Sequence, residues 1–171
     1  MAQIVTITNP LTGQPAQVDQ LEHTAQEIDD GIGFESTDYP GCYYRTVDGV
    51  AEWFNPPMQL GEEYRTTERY KGKPVYIKAV DTKALPNATF KFVEASFPNA
   101  NAIVDYGGEA YQDGDHFIPL PCLKYGSDNY NNEKGVQVTI SNGYGITIAT
   151  MTDFSSFTSS SVWVKYTKST D

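Results

Sequence analysis

Beyond Gly61 the chain carries its apolar residues in short alternating runs separated by turn residues. That pattern leaves little room for anything but β-structure. Residues 74–80 set Val75, Ile77 and Ala79 against Tyr76 and Lys78, and residues 89–93 put Phe90 and Phe92 on one face. Ala102 to Tyr106 is a short apolar run; Val136 to Ile140 alternates cleanly, Asn142-Gly143 turns, and Ile146 to Ile148 returns. Val162 to Tyr166 closes the series. Phe117 to Cys122 is apolar but holds Pro119 and Pro121, so it reads as an edge strand or an extended linker, because proline cannot donate to a ladder. Such a series predicts an antiparallel β-sandwich or jelly-roll-like domain over residues 61–171.

The residues before Gly61 differ in pattern and in charge. Residues 1–63 hold eleven acidic side chains against one basic, Arg45, and so carry the whole net charge of −10; the remainder is balanced, eleven against eleven. Gln3 to Thr8 reads as a short strand or extended arm, broken by Asn9-Pro10 and Thr12-Gly13-Gln14-Pro15. Val18, Leu21, Ala25, Ile28 and Ile32 then recur at intervals of 3, 4, 3 and 4, the seam of a coiled coil. Asp19 and Glu22 suit a capping box, and Gly31 and Gly33 suit a helix end. A helix this short is marginal alone in water, so its stripe needs a partner. The narrow seam favours self-association; packing on its own domain is the alternative. Residues 1–34 therefore read as an arm plus a self-associating coil. Residues 35–60 read as a β-hairpin neck, with Cys42 to Val47 and Val50 to Phe54 joined by Asp48-Gly49.

Several kinds of function are disfavoured. An acidic chain lacks the clustered Lys and Arg that phosphate contacts need, so no nucleic-acid partner is expected. No apolar run approaches the ~18 residues that cross a bilayer, and the first residues show neither a basic n-region nor an apolar h-region, so neither membrane insertion nor a secretory signal is expected. Cys42 and Cys122 are far apart in sequence; two buried thiols are favoured over one disulfide. Nucleophile-elbow, phosphate-loop, zinc-protease and dinucleotide motifs are missing, so no enzyme activity and no cofactor are expected. Asp113-Gly114-Asp115-His116 is the best metal candidate, but Asp-Gly is also a routine turn and no metal is expected there. His23 falls on a solvated flank of the expected helix.

Two tyrosine-rich polar stretches are the candidate binding loops. One runs from Tyr106 to Asp115 and includes Tyr111; the other runs from Lys124 to Lys134 and includes Tyr125, Asp128, Asn129, Tyr130, Asn131 and Asn132. Tyrosine offers a stacking face with a polar tip, and Asn and Asp offer adaptable hydrogen bonds, which together suit a sugar. The plainer alternative is that both are hydrophilic connections whose tyrosines lean on the sandwich. Phe154-Ser155-Ser156-Phe157 is a weaker candidate of the same kind.

Some strings are distinctive without carrying chemistry. Ile7-Thr8-Asn9-Pro10-Leu11-Thr12-Gly13-Gln14-Pro15-Ala16-Gln17-Val18-Asp19, followed by His23-Thr24-Ala25-Gln26-Glu27-Ile28-Asp29-Asp30, resembles the opening of tail-fibre proteins of phages and prophages of gut bacteria. Glu63-Tyr64-Arg65-Thr66-Thr67-Glu68-Arg69-Tyr70-Lys71-Gly72-Lys73-Pro74-Val75-Tyr76 is similar to a start of their C-terminal heads. Ala84-Leu85-Pro86-Asn87 and Val164-Lys165-Tyr166-Thr167-Lys168-Ser169-Thr170-Asp171 match the same pattern. The resemblance implies a homotrimer in the virion tail, made in the bacterial cytoplasm. It would join other tail or baseplate proteins through its N-terminus and bind a host surface glycan through its β head. It carries over no residue-level receptor site. A purely structural tail protein, a monomeric carbohydrate-binding module and a glycan-cleaving enzyme are the rival readings.

Overall fold

The computed structural model describes residues 4–8, 15–19, 23–27, 33–47, 49–112, 116–125, 133–141 and 144–171. The chain is mainly β, with fifteen strands and no helix among the described residues. It divides into two compact units, Met1–Met58 with Tyr64–Glu68, and Gln59–Glu63 with Arg69–Asp171.

The first unit opens with β1 (Ile4–Thr8) and β2 (Pro15–Asp19), an antiparallel pair. Next come β3 (His23–Glu27), β4 (Phe34–Ser36), β5 (Tyr43–Val47) and β6 (Val50–Trp53), each antiparallel to the next. The middle of β7 (Glu63–Tyr70) runs parallel to β6, with Thr66 beside Trp53. The expected hairpin is present, with Val47 facing Val50 across its turn. The expected helix over 19–32 is not found where the span is described: His23–Glu27 is a strand paired with β4. Of the five stripe positions, Val18 lies in β2 and Ala25 in β3; Leu21, Ile28 and Ile32 lie outside the described residues.

Aromatic side chains form the core of this unit. The Trp53 ring meets Tyr44 at 5.0 Å, Tyr64 at 5.8 Å and Tyr39 at 6.4 Å between centroids, and Tyr44 meets Phe34 at 6.4 Å. Glu52 is fully buried on the opposite side of β6 from Trp53. Its carboxylate accepts from the Arg45 guanidinium at 3.0 Å on one oxygen and contacts that of Arg65 at 2.8 Å on the other.

The second unit faces one sheet with another. The first has the order β11 (His116–Leu120), β10 (Ala100–Gln112), β15 (Ser159–Lys168), β8 (Lys73–Asp81), all antiparallel. The second has the order β12 (Cys122–Tyr125), β13 (Glu133–Ser141), β14 (Gly145–Thr150), β9 (Phe90–Glu94). Val80, Ala110, Leu120, Val162, Val164 and Tyr166 of the first sheet and Val136, Val138, Ile146 and Ile148 of the second form one buried cluster. Connecting segments add Leu85, Phe97, Phe154 and Phe157. Phe154 and Phe157 are thus core rings, 5.8 Å apart, and not a contact surface. Cys42 and Cys122 are both half-buried, where the sequence favours two buried thiols.

Candidate functional site

Strand β10 decides where the best-formed surface lies. The sequence suggests a loop from Tyr106 to Asp115, yet the chain stays extended to Gln112. Pairing with β15 on one side and β11 on the other supplies the ladder bonds that a Gly-Gly step would otherwise weaken. The two glycines are needed for that pairing. A Cβ on Gly108 would lie 2.1 Å from the Ser161 carbonyl oxygen, and one on Gly107 would lie 2.7 Å from the Trp163 ring. Trp163 therefore lies over the strand where no side chain intervenes.

Alternation then sorts the side chains of β10. Ala110 is fully buried in the core, so Glu109 and Tyr111 face outward on either side of it. On the neighbouring edge strand, Phe117 faces Tyr111 and Pro119 faces Glu109. On β15, Ser159 faces Tyr111 and Ser161 faces Glu109, while Ser160 turns inward to bond Thr82 at 2.7 Å. The Tyr111 and Phe117 rings sit 6.2 Å apart, tilted by 38°, and are 40% and 65% exposed. The Glu109 carboxylate beside it raises the pKa of the Tyr111 phenol, because it favours the phenol's protonated form. The face thus presents two aromatic rings, one exposed carboxylate and two serine hydroxyls across three strands.

Other surfaces are less complete. Phe90 and Phe92 project from edge strand β9 at 70% and 54% exposure, opposite Ala149 and Thr147 of β14. The Phe92 ring covers Gly145, where a Cβ would come within 2.6 Å of it. A cleft of about 410 Å³ is lined by Leu60, Lys78, Val80, Asp81, Glu94 and Ser96, among others. Its Lys78 amine is engaged by the Ser96 carbonyl at 3.2 Å. Its Asp81 carboxyl is held below the ordinary range by the hydrogen bond from Lys83.

Of the residues singled out in the sequence, Tyr111 joins this face. Tyr125 lies in β12, paired with Glu133, and Asp128, Asn129, Tyr130, Asn131 and Asn132 lie outside the described residues. Asp113 and Asp115 of the metal candidate also lie outside them. No cluster of metal-ligating side chains occurs among the described residues. Glu109 and Phe117 were not singled out as ligand contacts. The signal was the Glu109-Ala110-Tyr111 alternation around a small apolar residue, obscured by the Gly-Gly step before it.

No family model, no curated protein and no solved structure matches the chain.

Proposed function

We propose that the chain is a homotrimeric tail-fibre protein of a phage or prophage virion that binds a host cell-surface glycan through its C-terminal β head. In this reading residues 61–171 are an antiparallel, jelly-roll-like sandwich, residues 35–60 a neck, and residues 1–34 the region that trimerises and joins the tail. The observation that carries receptor binding is the outward face of Glu109, Tyr111 and Phe117. Exposed rings stack on the apolar faces of sugars, and a carboxylate accepts from their hydroxyls. Trimerisation would set several such faces side by side, so that a weak contact at each gives firm adhesion.

Binding without turnover suits the electrostatics of the face. A glycosidase needs one carboxyl kept protonated by an apolar surrounding. Glu109 is exposed, and Asp81, two strands away in the same row, is held ionised by Lys83.

The test is adsorption of the fluorescently labelled full chain to a panel of gut-bacterial isolates, beside the double variant Y111A/F117A. Labelling of at least one isolate, reduced by at least about 10-fold in the variant, is the expected result, given the pair energies of exposed rings multiplied by avidity. Labelling that the variant retains would move the site elsewhere. No labelling of any isolate would favour a purely structural role in the tail.

A further inference from the structure

The geometry points to the class of glycan: an uncharged sugar carrying two adjacent hydroxyls, held by the Glu109 carboxylate beside the Tyr111 and Phe117 rings. This rests on the receptor-binding reading above and narrows it.

The charge on the face comes first. In the row Pro119, Glu109, Ser161, Asp81, the two acids are the only charged side chains, and the Asp81 charge is already taken by Lys83. In the next row, Phe117, Tyr111 and Ser159, no side chain is charged. On β15 the next outward cation is Lys165, four residues from Ser161, or about 13 Å along the strand. A sialic acid, uronate or phosphate seated over the rings would meet Glu109 with no cation beside it among the described residues. Like charges so placed repel, and the stranded carboxylate would lose its water without gaining a donor.

Hydrogen-bond capacity comes next. An ionised carboxylate is acceptor-only and has two oxygens, so it takes two neighbouring hydroxyls at once. The carboxylate lies on the same outward face as the Tyr111 ring, two residues away along β10. Ser161 and Ser159 lie on the adjacent strand in the same two rows and supply hydroxyls that both donate and accept. From Phe117 across Tyr111 to Ser159 is two strand spacings, about 10 Å, a span on the scale of one or two sugar rings. The aromatic and polar halves of the face therefore complement a sugar with an apolar side and a hydroxylated edge. The exposed Phe90 and Phe92 of β9 share their face with Glu94 but lie on an edge strand, with only Ala149 and Thr147 opposite them and no ring on a neighbouring strand.

The experiment is an array of neutral, sialylated, uronate-bearing and phosphate-bearing oligosaccharides, probed with the full chain at low and at high salt. The wild type should bind neutral glycans and pass over the acidic ones, and its signal should change little with salt. Glu109→Gln keeps the shape and removes the charge; it should weaken neutral binding by about 10-fold, the scale of hydrogen bonds to a charged group. Tyr111→Phe keeps the ring and loses the phenol, so it should retain most of the signal that Tyr111→Ala loses. Circular dichroism of each variant excludes misfolding as the cause of a loss. Selective binding of acidic glycans that Tyr111→Ala abolishes would overturn the ligand class and leave the site standing. Neutral binding indifferent to all three variants would overturn the site itself, and with it this inference. Binding to no glycan on the array would overturn both.

Discussion

The phenol of Tyr166, with no exposed surface, donates its hydrogen to the carboxylate of Glu63, 103 residues earlier in the chain. The other oxygen of Glu63 takes the Lys168 amine, which also sits 4.1 Å from the centre of the Tyr76 ring. The Tyr166 ring stacks on Tyr76 at 6.1 Å and meets Phe97 edge-on at 5.5 Å. One residue thus ties the start of β7 to the end of β15 and fills the core between the two sheets. Replacing it with phenylalanine keeps the packing and removes one hydrogen bond to a charged acceptor. Tyr166→Phe should cost about 1.5 kcal/mol, read as a lower urea midpoint at unchanged slope.

The same contact makes stability depend on alkaline pH. Burial first, and the bond to Glu63 second, push the Tyr166 phenol well above its ordinary value of 10.0. A group raised on folding contributes its full stability below the unfolded pKa, and that contribution falls once pH rises past it. The wild type should therefore lose up to about 1.4 kcal/mol more per pH unit above pH 10 than Tyr166→Phe does. Parallel denaturation curves for the two proteins across that range check it; equal slopes would refute it.

Glu52 is a carboxylate with no exposed surface, held between two guanidiniums that are themselves mostly covered. Taking away its charge alone leaves both cations facing each other. Glu52→Gln should destabilise the first unit by about 3 kcal/mol, since removing one partner of a buried pair strands the other. Loss of Trp53 fluorescence change during denaturation at lower urea would report it, because Trp53 is the hub of that unit's core.

Gly108 is crowded by backbone, which cannot rotate away as a side chain can. A methyl there would meet the Ser161 carbonyl oxygen at 2.1 Å. Gly108→Ala should lower stability by about 3 kcal/mol through parting β10 from β15, measurable as a fall in Tm. The proposed binding face stands on the same two strands, so glycan binding should fall with it.

Assembly is tested by mass. Light scattering coupled to gel filtration should give about three times the 19.0 kDa of one chain. Leu21→Asp places a charge in the apolar stripe of residues 18–32 and should shift the mass toward 19.0 kDa. A mass already near 19.0 kDa in the wild type would remove the trimer and favour a monomeric carbohydrate-binding module.

Local pattern determined the strands that alternate strongly. Val75, Ile77 and Ala79 in β8 and Val136 and Val138 in β13 could be read directly, and so could the 43–53 hairpin across its Asp-Gly turn, because period-two burial and turn geometry are properties of neighbouring residues. The sequence also made Phe117 an edge position through Pro119, and β11 does lie at the edge of its sheet. Tertiary structure alone decided the rest. It made a strand of Tyr106–Gln112, put Glu52 wholly inside, drew Tyr166 to Glu63, and turned Glu109, Tyr111 and Phe117 to one side of a sheet. Each of these depends on a partner strand brought from elsewhere in the chain. A polar group can stay buried, and a glycine pair can stay extended, only when that partner supplies the missing hydrogen bonds.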